Sequence, residues 1–496
     1  MGVEFILNER HIETEESAGM LALDWLRLRQ NLTGTKEGCK EGDCGACSVM
    51  IGELDESGKV RYKPVTSCLT PLGELHGKHL LTIEGLNLAQ GTLNPVQQAM
   101  VDRGGSQCGY CTPGFIVSMC WYMMQSGHAQ PTEQGLKDAT SGNLCRCTGY
   151  GSIRRASQDM VSKFSSGGDL ADVWSSEDRV GALVEHGLLP EYLSGVAARL
   201  SQIEPLPRSE KSSPEFIIAG GTDLYVQRGE EIPRTDEVEV LGLRGDMAYI
   251  TLDDTRVMVG GLTTFEDFAQ NPEIQAMLPT IEQDMQLIAS LPIRNRASIA
   301  GNLINASPIG DMTALMMALG AKVVLQKLDG NVKRELPLED LYLGYKTLAK
   351  EKHEIVAELV FDRIDTANEH VSFEKVSKRR WLDIATVNSA ARIKLAADGT
   401  IASVRLALGG VAATPLYLKE TSAWLVGKQI DASTMHGMVE RAMKEIAPIS
   451  DVRGSARYKS LLARQLLLAH FDKLFPERAG IDAVLGAHLA ATEVSP

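Results

Sequence analysis

The sequence has no apolar run long enough to span a bilayer; its best stretch, residues 313–325, is short and contains Lys322. The opening residues, Met1-Gly-Val-Glu-Phe-Ile-Leu-Asn-Glu-Arg, lack the basic and apolar regions of a secretory leader. Ile6 stands where a myristoylation signal would place Ser or Thr. No basic block offsets the net charge of −14, which argues against nucleic acid or a membrane surface as partner. Neither a G-x-G-x-x-G fingerprint nor a P-loop occurs, so a Rossmann site and a Walker-type nucleotidase are disfavoured. His76 and His79 have no further ligands nearby in sequence and are assigned no metal. From these absences a reducing cytoplasm is the expected location, with neither a membrane nor a nucleic acid as the expected partner.

What is present is an ordinary globular composition, 44% hydrophobic and 23% charged, over 496 residues, enough for several domains. Eight of the nine cysteines fall between Cys39 and Cys147, in two sets of four. The first reads Cys39-x4-Cys44-x2-Cys47 and then, 20 residues on, Cys68, the plant-type spacing for a [2Fe–2S] cluster. Glycines beside these cysteines, Gly38, Gly42 and Gly45, let the backbone curl and aim N–H groups at sulfur. The second set is Cys108-x2-Cys111 and, 33 residues later, Cys145-x-Cys147. Two compact pairs of this kind suit a cluster held between helix ends. Disulfides would need an oxidising compartment and fit poorly with an odd cysteine count. Two four-cysteine zinc sites are the closer rival, although the x4-x2 triplet is not a usual zinc spacing. Cys120, in an apolar helical stretch, reads as a buried thiol.

In chain order, Val3 to Leu7 and His11 to Thr14 read as a hairpin, residues 20–32 as an amphipathic helix, and 48–51 and 59–65 as strands. Asn94-Pro95, Thr112-Pro113 and Thr132-Glu133 open three helices, the third ending near Ser141-Gly142. Helical periodicity continues over 180–200, between linker-like stretches at 165–168 and 204–214. A short strand then runs into Gly220-Gly221-Thr222-Asp223, a turn able to present N–H groups to phosphate oxygens. A second Gly/Ser/Asn-rich segment spans 297–311. Strands follow at 321–327, 355–361 and 372–376, a hairpin turns at Asp398-Gly399, and helices at 433–446 and 455–471 end the ordered pattern. The basic triplet Lys378-Arg379-Arg380 reads as a solvated loop, with anion contact the alternative.

The segments around Cys39–Cys47, Cys108–Cys111 and Cys145–Cys147 resemble the two iron–sulfur modules of the molybdenum hydroxylases. Their order, followed in the same chain by a flavin region, is similar to the small iron–sulfur/FAD subunit of the xanthine dehydrogenase family. The resemblance implies an α+β multidomain chain: a β-grasp plant-type ferredoxin domain (1–80), a helical-bundle [2Fe–2S] domain (81–165), a linker with a helix (166–213), a two-part α+β FAD-binding domain of the molybdenum-hydroxylase flavoprotein type (214–385) and a C-terminal α+β flavoprotein domain (386–496). It implies cluster ligation by Cys39, Cys44, Cys47 and Cys68 and by Cys108, Cys111, Cys145 and Cys147. FAD contacts are implied for Ile217, Ile218, Ala219, Gly220, Gly221, Thr222, Asp223 and Leu224, for Ser298, Asn302 and Asp311, and for Val356 and Lys375. Molybdopterin would sit only in a large partner subunit, within a heterotetramer or similar assembly, and this chain would hold no catalytic residue of its own. Ile288 stands where animal relatives carry an aromatic against the flavin, and Arg380-Trp381-Leu382 replaces an acidic loop. NAD is the expected acceptor. The alternatives are a sibling hydroxylase for aldehydes, other N-heterocycles or aromatic thioesters, and a stand-alone iron–sulfur flavoprotein carrier.

Overall fold

Alternating apolar residues at the start of the chain build the strands Val3–Leu7 and Arg10–Thr14. The computed structural model describes residues 2–125, 130–206, 213–243, 245–328, 330 and 332–480. The first sheet runs in the order Arg10–Thr14, Val3–Leu7, His79–Leu81, Ser48–Leu54, Val60–Thr66, with Val3–Leu7 and His79–Leu81 parallel and the other pairs antiparallel. The helix Ala22–Leu28 lies on it, with the Trp25 ring edge-on to Phe5 at 5.3 Å. This helix is shorter than the 20–32 expected, because Asn31 takes a left-handed backbone (φ 54°) and Leu32 turns back to the Leu26 carbonyl.

Helices Pro95–Asp102, Thr112–Met124, Glu133–Ala139 and Gly151–Phe164 form the next layer. Asn94 and Gln97 cap the first reciprocally and the Thr132 hydroxyl caps the third. Their core includes Met119, Met160, Phe164 and Trp174. Cys120 lies in it, 3% exposed, and burial pushes its thiol up to about 12. The periodic stretch 180–200 is not one helix. Gly187 (φ 65°) and Pro190 break it into Arg179–Glu185, a 3-10 turn at Glu191–Gly195 and Val196–Leu200.

The chain forms two compact units, Met1–Arg244 with Ser290–Ala297, and Gly245–Ala289 with Ser298–Pro496. The first holds both cysteine regions and the short parallel pair Phe216–Ile218 and Val238–Val240. The second holds two larger antiparallel sheets, besides the short antiparallel pair Tyr342–Gly344 and Thr347–Leu348. One runs Lys333–Pro337, Lys322–Lys327, Glu354–Asp362, Arg256–Gly260, Ile250–Leu252. The other runs Glu369–Val376, Val387–Leu395, Ile401–Gly409, Leu416–Tyr417 and carries helices Ala432–Glu445 and Ala456–Leu474 over a core that includes Ile393, Leu406, Met435 and Phe471. Among the described residues no helix is long and apolar enough to cross a membrane.

Candidate functional site

The first cysteine loop is shaped by its glycines. Gly42 and Gly45 adopt φ of 80° and 67°, a conformation that side chains disfavour, and a β-carbon at Gly38 would stand 2.6 Å from the Cys44 sulfur. The curl aims amides inward: Glu41 and Asp43 N–H each donate to the Cys39 sulfur at 3.3 Å, and Cys39 N–H to Cys44 at 3.4 Å. The Cys44 thiol donates to Cys39 and, with these amides, holds Cys39 down at about 5, while Cys44 is pushed up in return. Cys47 and Cys68 repeat the pattern, with Cys47 lowered by the Cys68 thiol and Cys68 raised by Cys47 and by burial.

The second set forms at helix ends. Cys111 immediately precedes Thr112–Met124, and Cys145 and Cys147 lie in the loop before Gly151–Phe164. Burial and the neighbouring Cys145 raise Cys111 to about 12. Burial opposes ionisation of Cys145, but the Thr148 hydroxyl and amide and the Cys111 thiol outweigh it, so its thiol is lowered. Cys147 is raised by its contact with Cys108.

Each set is thus two close pairs: Cys39 with Cys44 and Cys47 with Cys68, then Cys111 with Cys145 and Cys108 with Cys147. Among the described residues no three thiol sulfurs lie within 4.8 Å of one another. A tetrahedral zinc bound at Zn–S distances near 2.3 Å would draw all four sulfurs to within about 3.8 Å of each other. A dinuclear cluster with two thiolates on each iron needs two close pairs set apart, so this donor set fits [2Fe–2S] better than zinc.

The two sets are also tied to each other. Leu144 N–H donates to the Cys44 carbonyl at 3.0 Å, so a cysteine of one loop lies one hydrogen bond and one peptide from a cysteine of the other. Asn143 Nδ2 donates to the Gly45 carbonyl at 3.0 Å, while its Oδ1 accepts from Ser118 at 2.8 Å, with both side chains buried. The Tyr110 hydroxyl donates to the Glu37 carbonyl. Asn143→Ala leaves buried partners unsatisfied and is expected to lower stability by about 2 kcal/mol in a denaturant melt.

Of the residues implied for flavin, 217–224 belong to the first unit. Ile217 and Ile218 lie on the strand Phe216–Ile218, Leu224 opens the helix Leu224–Arg228, and the turn between them carries Gly220 and Gly221. A β-carbon at Gly220 would overlap the Arg296 carbonyl oxygen, and Gly221 (φ 74°) abuts the Leu69 carbonyl. Ser298, Asn302, Asp311, Val356 and Lys375 belong to the second unit. There Ser298 caps the helix Ile299–Asn305, and Asn302 Oδ1 accepts from the Thr313 amide and hydroxyl at 3.2 and 3.0 Å. Val356 is buried in Glu354–Asp362. Lys375, with its side chain 1% exposed, bonds Asp311 and the Leu287 carbonyl at 2.7 Å each, and Asn388 donates to Asp311 at 2.6 Å. Asp311 therefore neutralises a buried ammonium. Asp311→Ala is expected to cost about 3–5 kcal/mol of stability, read as a lowered melting midpoint in flavin-free protein.

Sequence reading passed over Asn143, Asn388, Glu74 and Arg296. Their partners lie from 25 residues away, for Asn143 and Ser118, to 222, for Arg296 and Glu74, beyond any local pattern.

Comparison with known proteins gives four matches along the chain. "2Fe-2S iron-sulfur cluster binding domain" matches residues 5–73 and "[2Fe-2S] binding domain" residues 82–158. "FAD binding domain in molybdopterin dehydrogenase" matches 198–361 and "CO dehydrogenase flavoprotein C-terminal domain" 372–474. A protein named xanthine dehydrogenase from Emericella nidulans is 28% identical over 463 residues, covering 82% of this chain and 34% of that protein. One of the same name from Drosophila pseudoobscura pseudoobscura is 29% identical over 523 residues, covering 94% and 38%. The chain thus spans little more than a third of the length of these relatives. A chain of reconstituted CO dehydrogenase from Oligotropha carboxidovorans is 30% identical over 52% of this chain and 88% of its own, with a TM-score of 0.47. The domain matches in this order, over a chain whose cysteines pair two by two, establish that it belongs to the xanthine/CO dehydrogenase family of molybdenum hydroxylases and carries that family's two [2Fe–2S]-binding domains and its FAD-binding domain.

Proposed function

We propose that this chain is the electron-carrying subunit of a xanthine dehydrogenase-type hydroxylase, linking a molybdopterin centre on a large partner subunit to NAD. The observation that carries the reading is the two-by-two grouping of eight cysteines in one unit with the glycine turn at Gly220. Bound clusters supply one-electron chemistry and bound FAD can release a pair, so the protein's part is to hold, insulate and order them. Cys39, Cys44, Cys47 and Cys68 would ligate the first cluster, and Cys108, Cys111, Cys145 and Cys147 the second. Residues 217–224, with Ser298, Asn302, Asp311, Val356 and Lys375, would make the flavin contacts that the resemblance implies.

The partner would dock on the helical cluster domain. Cys108, Cys147 and Gln107 are exposed there, together with the apolar surfaces of Val101, Tyr110, Leu144 and Tyr150. A permanent interface of this kind buries more than about 2,000 Å² and is apolar at its centre. The name xanthine dehydrogenase borne by relatives supports a purine as the substrate class. Anaerobic titration of the purified chain with NADH tests the acceptor: the flavin band should bleach and cluster EPR signals should follow, with no oxidation of xanthine until the partner is added. A chain that dithionite bleaches but NADH leaves oxidised would contradict NAD as acceptor.

A further inference from the structure

Ser290–Ala297 groups with Met1–Arg244, although the residues before and after it in sequence form the other unit. Five of its eight residues, Ser290, Pro292, Ile293, Asn295 and Arg296, place their side chains against the rest of the first unit. Ser290 and Pro292 lie against Gly142, where a β-carbon would come within 2.9 and 3.2 Å of them. Ile293 fills the space beside Gly42 in the first cysteine loop, 2.6 Å from where a β-carbon would stand. It packs on an apolar cluster that joins Cys47, Cys68 and Leu69 to Phe216 and Ile218. Asn295 donates to the Pro64 carbonyl at 2.9 Å.

Arg296 does most. Its side chain is 1% exposed and its guanidinium meets Glu74 in a two-point pair at 3.0 and 2.8 Å. The same guanidinium gives a third bond, at 2.7 Å, to the Gly220 carbonyl. Its own carbonyl occupies the space that a side chain at Gly220 would need. A planar fork can satisfy a carboxylate and a carbonyl at once, which an ammonium on a flexible stem does less well. Ion pairs taken out of water are seldom kept for stability, since apolar packing of the same volume does as well or better. This one holds a turn at a fixed height. The turn in question abuts Leu69, the residue after Cys68.

Resting on the function proposed above, we infer that Arg296 is a positioning residue. Through Glu74 and the Gly220 carbonyl it sets how closely the turn at 217–224 approaches the Cys47–Cys68 side of the plant-type site, and so how fast electrons pass between that site and flavin.

Arg296→Gln, Arg296→Lys and Glu74→Gln test this in the full chain, with iron and FAD content measured first. Laser-flash reduction of the bound flavin, followed at the plant-type cluster's EPR signal, should show transfer slowed several-fold in Arg296→Gln, and less in Arg296→Lys. Hydrogen exchange in FAD-free protein should show the 217–224 amides opening at least about tenfold faster in both charge-removing variants, a loss of the order expected for one buried charge-assisted bond. Should Arg296→Gln not accumulate, Arg296→Lys and Glu74→Gln carry the same comparison. Variants that load both cofactors and match the wild type in transfer rate and exchange would overturn the inference alone. A wild-type chain without FAD or iron would instead overturn the function on which it rests.

Discussion

Cys44→Ser is expected to yield protein with about half the wild-type iron and one of two [2Fe–2S] EPR signals, and Cys145→Ser to lose the other signal instead. The reason lies in the pairing. Cys44 lies with Cys39, and Cys145 with Cys111, so under the proposed ligation each substitution would strip one iron position of a single site. A serine hydroxyl is a poor match for iron that prefers soft thiolate. The sites are close, since Leu144 N–H bonds the Cys44 carbonyl, yet they share no sulfur. The remaining signal should therefore be close to that of the wild type. Loss of both signals from either single variant would mean that the two loops form one cooperative site.

The second large effect is expected at Gly220. A β-carbon there would overlap the Arg296 carbonyl, so even Gly220→Ala must displace the turn or the segment behind it. Overpacking against backbone that cannot rotate away costs about 3 kcal/mol or more, since nothing flexible can yield. Flavin retention after gel filtration should fall by at least about tenfold, the equivalent of roughly 1.4 kcal/mol. Gly58→Ala is the matched control. Gly58 also has positive φ (78°), but nothing stands within 4 Å of its missing side chain, so only backbone strain of about 1 kcal/mol is at stake and flavin should be retained. Full FAD occupancy in Gly220→Trp would mean that this turn does not carry the flavin.

The sequence made the chemistry legible where it is local. Three cysteines on a glycine-rich loop with a fourth 20 residues on, or two compact pairs at predicted helix ends, point to clusters by their spacing. That each four divides into two close pairs came only from the fold, because Cys68 and the pair Cys145 and Cys147 arrive from distant segments. Helices with capping residues, such as Asn94-Pro95 and Thr132-Glu133, were equally plain. Strands with exposed faces were not: Lys333–Pro337 is charged along most of its length and offers no alternation. Helical periodicity over 180–200 misled, since apolar spacing survives across the break at Gly187 and Pro190. Asp311, expected to contact flavin, is also bonded by Lys375 and Asn388, partners that only the sheet brings to it and that no local pattern announces. Arg296 shows the same limit. Nothing in its neighbourhood of sequence announces a bond to Glu74, 222 residues earlier.

The central claim is that eight cysteines hold two separate dinuclear iron sites rather than two zincs. Metal analysis combined with EPR integration on the dithionite-reduced, purified chain tests it most directly. The account predicts about four irons and no zinc per chain, with two distinguishable signals that together integrate to about two spins. Stoichiometric zinc, or a single signal integrating to one spin, would contradict it.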